Sequence, residues 1–251
     1  GDLLGVKGSG KPGSEQRQVS PFSEVRISGG IDVKIHTAKE TTCTVSGDDN
    51  IVPLVVTENV GSSLKIYTRE NVRPKTPITI VLTTPALARL DLSGSCDADV
   101  HGVHGAGLGV EISGSGDVDL VGIDVDRLDV DVSGSGDVSA SGSADRVEFE
   151  VSGSGDGRMG ALCTKDTVFR VSGSGSVEVA VTHTLEARIS GSGTFKYLGD
   201  PTVDKHVSGS AEIRRIGPLP AQCSPPPVRP AAPPAPAAPI EPDGSPDSPS
   251  K

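Results

Sequence analysis

One tetrapeptide constrains what this chain can fold into more than any other feature. Ser-Gly-Ser-Gly, or a close variant, begins at Ser93, Ser113, Ser133, Ser152, Ser172, Ser190 and Ser208, at steps of 18–20 residues; the first copy ends in Cys96 and the last in Ala211. A period near 20 is too short for a propeller blade and lacks a leucine-rich consensus, so it suits one coil of a parallel β-solenoid. The residue before each first serine is apolar throughout: Leu92, Ile112, Val132, Val151, Val171, Ile189 and Val207. Two positions earlier stand Leu90, Val110, Val130, Phe149, Phe169 and Ala187, with Lys205 breaking the series. Between the two series lie Asp91, Glu111, Asp131, Glu150, Arg170, Arg188 and His206. Such period-two alternation buries one face of a short strand and wets the other. After each tetrapeptide a second strand follows, with Val118 and Leu120, Val138 and Ala140, or Val177 and Val179 inward. A further glycine, at Gly102, Gly122, Gly142 or Gly160, then permits the next turn. The expectation is a thin aliphatic core two short strands wide.

Composition fits that architecture and excludes several functions. The chain has 251 residues, of which only two are tyrosine and four phenylalanine, with no tryptophan. That is too few for a sugar-stacking cleft or a base-stacking platform. A net charge of −10 repels a nucleic-acid backbone, and no apolar run approaches the roughly 20 residues of a membrane-spanning helix. The glycines belong mainly to the repeat, whereas the prolines crowd between Pro218 and Pro249. Residues 217–251 therefore read as an extended, disordered Pro/Ala-rich tail. Residues 1–14 read as a flexible lead-in, trimmed from a longer precursor with any export signal upstream. Residues 15–216 then form a single head, with regular coils over 89–216 and a less regular β part over 15–88. That part carries strand-like runs at Val25–Ile27, Ile31–Ile35, Leu64–Tyr67 and Ile78–Leu82 and is expected to cover one end of the stack, since a bare end invites aggregation. The Asp48-Asp49-Asn50 cluster is expected to cap a short helical turn at Ile51–Leu54.

The order of these motifs carries a family resemblance. Ser28-Gly29-Gly30-Ile31-Asp32-Val33, Asn50-Ile51-Val52-Pro53-Leu54, Leu64-Lys65-Ile66 and then the Ser-Gly-Ser-Gly-Asp-Val coils resemble the head GIN domain family of bacterial exported auto-transporter adhesins. The resemblance spans roughly residues 15–215. It implies a right-handed parallel β-helix and an extracytoplasmic location (periplasmic, outer-surface or secreted), and it brings no catalytic residues. The family's Gly-Ile-Asn is Gly30-Ile31-Asp32 here, a carboxylate in place of an amide.

Two sets of charged residues are candidates for function. The position after each repeat is Asp97, Asp117, Asp137 and Asp156, with Asp99 and Asp119 two residues further on. Alternation turns Asp97, Asp99, Asp117, Asp119 and Asp137 outward on one face, where in-register like charges repel and hard oxygen ligands suit calcium. The competing reading is a solubilising face that discourages edge pairing. Asp91, Glu111, Asp131, Glu150, Arg170 and Arg188 form a second outward column whose sign switches, with Glu150 beside Arg170; this is the candidate partner face. A ladder of repeated aspartates offers no distinguished carboxylate pair for glycosidic cleavage, and no nucleophile elbow or phosphate loop occurs. His101 and His104, close to Cys96, form at most an isolated metal grouping in a glycine-rich loop. The four cysteines lack a Cys-x-x-Cys pair; one disulfide is expected at most, tying Cys223 to the body, with free thiols as the alternative. The reading is a non-catalytic exported or cell-surface structural or adhesive module, without a cofactor unless calcium. It meets a carbohydrate, cell-wall or surface-protein partner through multivalent ladders. The alternatives are a polysaccharide-acting β-helix enzyme and an end-to-end self-assembling oligomer, the latter requiring an uncapped last coil near Ser208–Ile213.

Overall fold

Each Ser-Gly-Ser-Gly is a corner at which one coil hands its backbone hydrogen bonds to the next. The computed structural model describes residues 4–224, and there the amide of Ser115 donates to the carbonyl of Gly94, that of Ser135 to Gly114, Ser154 to Gly134 and Ser174 to Gly153, each at 2.9 Å. The strands flanking the corners pair in parallel and in register, serine on serine and glycine on glycine. The result is a β-solenoid of about six turns. Gly134 shows why the corner residue is glycine. Its φ is +139°, and an added Cβ would run into the carbonyl oxygen of Gly114, which already accepts the Ser135 amide.

The core is wider than two strands. In the coil beginning at Val118, the buried residues are Val118 and Leu120, then Ile123 and Val125, then Leu128, Val130 and Val132. Alternation thus runs in three stretches, with breaks at Val121-Gly122 and Asp126-Arg127 that mark two further corners. The sequence reading missed the middle stretch because two inward residues are too short a run to show a period. Each buried aliphatic side chain contributes about 1.5–3 kcal/mol. Phe169 and Phe195 stack with ring centroids 5.3 Å apart. Ala187, in register with Phe169 one coil on, leaves the space that lets them meet.

The less regular part over 15–88 is continuous with the regular coils. Glu24–Gly29 pairs in parallel with Arg89–Gly94, and Ile31–Thr37 with Ala98–His101, so the stack already begins in the less regular part. Ser63–Thr68 and Ile78–Thr84 add a further tier beneath them. Three antiparallel strands then close this end: Val55–Val60 on Ser63–Thr68, Thr42–Asp48 on Ile78–Thr84, and Pro12–Gln16 on Thr42–Asp48. The expected end cover is therefore present, but it includes the supposed flexible lead-in, which carries the strands Val6–Lys7 and Pro12–Gln16. A short 3-10 turn forms at Val52–Leu54, with no side-chain cap from the preceding acidic cluster. Asp48 is buried and accepts amides of Gly10, Lys75 and Thr76, while Asn50 bonds Ser9 and Lys7. Burial would raise the Asp48 carboxyl, but the amide donors outweigh it and hold it below the ordinary aspartate range. These side chains anchor the lead-in, so the cluster reads as a clamp rather than a helix cap.

The opposite end is open. Thr202–Gly209 pairs only with Val177–Gly191, and Glu212–Gly217 only with Thr194–Leu198, leaving an outer edge on each among the described residues. The uncapped coil required for end-to-end assembly is thus present, yet its inward positions carry Lys205 over Ala187 and Arg215 over Tyr197. Inward charges on a bare edge obstruct a second sheet from docking. The first residues of the expected tail also depart from it: Ala221–Cys223 is a 3-10 turn, and Cys223 is disulfide-bonded to Cys163 with Cα atoms 5.1 Å apart. Cys43 and Cys96 are buried free thiols. The remainder of the tail, 225–251, lies outside the described residues.

Two outcomes follow from this architecture. Gly134→Ala lowers unfolding free energy by about 1–3 kcal/mol in urea titrations, through combined φ strain and collision with the coil below; an unchanged midpoint would contradict the corner geometry. Replacing both inward cations, as Lys205→Val with Arg215→Leu, increases self-association in light scattering at high concentration, whereas the parent chain stays smaller.

Candidate binding face

Outward residues of the strands that lead into the corners build one broad face. Register places Lys65, Arg26, Asp91, Glu111, Asp131, Glu150, Arg170, Arg188 and His206 in a single column. The six expected residues are therefore brought together, and the column extends beyond them at both ends with basic or histidine side chains. Lys65 and Arg26 escaped the sequence reading because no Ser-Gly-Ser-Gly repeat marks their tiers. On one side runs the serine column from Ser28 to Ser208. On the other runs Glu24, Arg89, Gly109, Asp129, Glu148, Val168, Glu186 and Asp204.

The acidic stretch of the face is laced by arginines. Arg89 reaches Asp91 at 2.9 Å and Glu111 at 2.6 Å, and Arg26 lies 3.5 Å from Asp91. Arg127 bridges Asp129 at 2.8 Å and Glu148 at 3.1 Å, and Arg146 adds a second contact to Glu148 at 3.0 Å. The Arg146 hydrogen bond is the main reason the Glu148 carboxyl titrates below its usual range. Asp131 moves the other way: burial raises it first and the neighbouring Glu150 adds to that. It lines a cleft of about 300 Å³ with Arg89, Glu111, Arg127 and Glu148. Glu150 and Arg170, adjacent in the column as the sequence implies, do not pair. The two residues are register neighbours, but neither makes a salt bridge among the described residues.

The aspartates after the repeats each meet a backbone amide of a neighbouring tier. Asp97 Oδ1 accepts the amide of Asp117, Asp117 that of Asp137, Asp137 that of Asp156, and Asp156 that of Ser176, at 2.8–2.9 Å. Asp32 starts the series by accepting the Asp97 amide at 3.3 Å. A carboxylate ladder thus supplies an acceptor to a corner amide on each tier, offsetting the repulsion of stacked charges. This explains how Asp32 stands in for asparagine, since both side chains present the same Oδ1 acceptor. Asp99 and Asp119 are in register on the adjoining strands, but no group of three or more metal-ligating side chains occurs among the described residues. Asp137 already gives its second oxygen to Arg158 at 3.2 Å. His101 stacks on His36 with centroids 4.9 Å apart, and His104 contacts its own loop at Gly102, so the two histidines and Cys96 form no cluster.

The sequence pattern of the family described as "Putative auto-transporter adhesin, head GIN domain" matches residues 21–201. The chain belongs to this family. Among solved structures, a "putative adhesin" from Bacteroides fragilis superposes with a TM-score of 0.71 at 24% identity, over 85% of this chain and 98% of the other. Another from Parabacteroides merdae gives 0.66 at 19% identity, over 84% and 98%. A "putative lipid binding protein" from Parabacteroides distasonis gives 0.60 at 23% identity, over 84% and 99%. At these identities the likeness establishes the shared solenoid and nothing finer. No curated protein matches the chain. Among the described residues no helix is long and apolar enough to cross a membrane.

The ladder yields a direct test. Asp117→Asn keeps the Oδ1 acceptor and removes one stacked charge, so its stability equals or exceeds that of the parent. Asp117→Ala leaves the Asp137 amide without its partner and costs about 0.5–1.5 kcal/mol. Thermal melts of the two variants distinguish an amide-acceptor role from a solubilising charge.

Proposed function

We propose that the chain is a non-catalytic, extracytoplasmic binding module that presents its columned face to a repetitive partner at a cell surface. The observation that carries this reading is the register itself. Three outward columns hold their side chains at one spacing, about 4.8 Å per tier, over most of the stack. A partner with a matching repeat meets many equivalent weak contacts, whose sum is useful where each alone is not. The Cys163–Cys223 disulfide supports an oxidising compartment. Family membership supports an adhesive role in kind. The solenoid interior is filled by its own side chains, among them Phe149, Phe169 and Phe195, so any ligand, a lipid included, is met by the outer surface.

Glycan cleavage is the second reading, and one observation favours it. Asp131 and Glu150 line one cleft, where burial and then the neighbouring Glu150 push the Asp131 carboxyl above the ordinary aspartate range, as a general acid in glycan cleavage requires. An array of glycans, cell-wall polymers and matrix proteins, probed at low salt with calcium and again with chelator, separates the readings. Binding that strengthens when the protein is clustered on a bead supports the adhesive module. New reducing ends in a polysaccharide digest, lost in Asp131→Asn, establish the enzyme instead. Silence of the whole array under both conditions overturns the binding role, and a difference between the two conditions reveals a calcium requirement.

A further inference from the structure

The late coils carry a groove whose chemistry opposes the rest of the molecule. It occupies about 700 Å³ between the charged column and the serine column, with Arg170 and Arg188 facing Ser172 and Ser190 and the exposed Lys205 at its outer end beside His206. The chain as a whole carries a net charge of −10, so basic residues gathered on successive tiers form a local reversal rather than an average surface. Its two arginines are only partly engaged. Arg170 has no carboxylate within 4.0 Å among the described residues, and Arg188 gives only its Nε to Glu186, at 2.6 Å. Elsewhere on the same face the arginines are engaged: Arg89 and Arg127 each bridge two acidic side chains.

We infer that this groove binds a linear acidic polysaccharide of the uronate type, lying along the solenoid axis. The inference rests on the adhesive reading and names its ligand class. The Arg170 and Arg188 tiers each offer a cation on one wall and a serine hydroxyl on the other, and the tiers repeat at about 4.8 Å, close to the advance of one sugar ring in an extended chain. A guanidinium fork matches a carboxylate in two parallel hydrogen bonds. The serine hydroxyls, free to donate or accept, match ring hydroxyls. Glu150 closes the groove at its inner end and repels the polymer from the acidic tiers, which restricts binding to the open end of the stack. The groove has no aromatic platform, which disfavours a nucleic acid as the polyanion.

Calorimetry with polygalacturonate at low salt tests this, alongside neutral galactan and vesicles of phosphatidylglycerol. The expected result is binding to polygalacturonate alone, weakened about tenfold or more by Arg170→Glu and abolished by high salt. Lys34→Glu makes the same charge change at an exposed site on a different strand and leaves the affinity within about twofold, so a general charge effect is separable. Circular dichroism confirms that the variants fold, and Arg170→Gln replaces Arg170→Glu if the latter does not. Absence of binding to polygalacturonate, equal binding to galactan, equal loss in Lys34→Glu, or preference for the vesicles each overturns the proposal. If the array finds a neutral partner that is indifferent to Arg170, the acidic-glycan assignment falls while the adhesive reading stands. If the array is silent as well, both fall.

Discussion

A carbonyl oxygen at each corner does two things at once. Gly114's oxygen accepts the Ser135 amide at 2.9 Å and, in doing so, occupies the place where a side chain on Gly134 would begin. The same relation links Gly94 with Gly114 and Gly134 with Gly153. Direct coil-on-coil hydrogen bonding therefore demands glycine, and glycine at a fixed step demands that all other positions stack in register. The aliphatic core columns and the outward charge columns both follow from that lock.

Register stacking creates an electrostatic difficulty that the chain resolves in two ways. Where aspartates fall at a corner, their carboxylates accept backbone amides from the next tier, so the like charges each gain a donor. Where acids fall on the broad face, arginines from a neighbouring column bridge them. In the late tiers Arg188 still meets Glu186 through its Nε, while Arg170 stands without a carboxylate partner among the described residues above an open groove. The ends of the stack are handled differently as well. One is closed by antiparallel strands, while the other is left bare with Lys205 and Arg215 where register calls for inward apolar residues, which protects the edge without covering it.

Much of this was legible in the sequence because a solenoid is close to one-dimensional. The period named the coil, the alternation of Leu90, Asp91 and Leu92 named the inside and the outside, and equal steps placed Asp91, Glu111, Asp131, Glu150, Arg170 and Arg188 in one column. What alternation cannot show is a pairing between residues far apart in the chain that share no repeat. Lys65 and Arg26 extend the column from tiers with no tetrapeptide, and Pro12–Gln16 joins the end cover by pairing with Thr42–Asp48. The glycine-rich lead-in looked flexible because its anchors, the Gly10 amide donated to the buried Asp48 and the hydrogen bonds of Ser9 and Lys7 with Asn50, leave no apolar trace.

The sequence by itself determined the architecture, the coil length and which side chains share a column, because a strict repeat converts linear spacing into spatial neighbourhood. Only the tertiary structure decided what those side chains do once stacked. Whether an aspartate binds an amide or stays free, and whether Glu150 pairs with Arg170, depends on side-chain directions within a tier of about 4.8 Å, which spacing along the chain does not specify. The three-sided core, the tie from Cys223 to Cys163 and the basic groove at the open end likewise arise from contacts that exist only after the coils have closed.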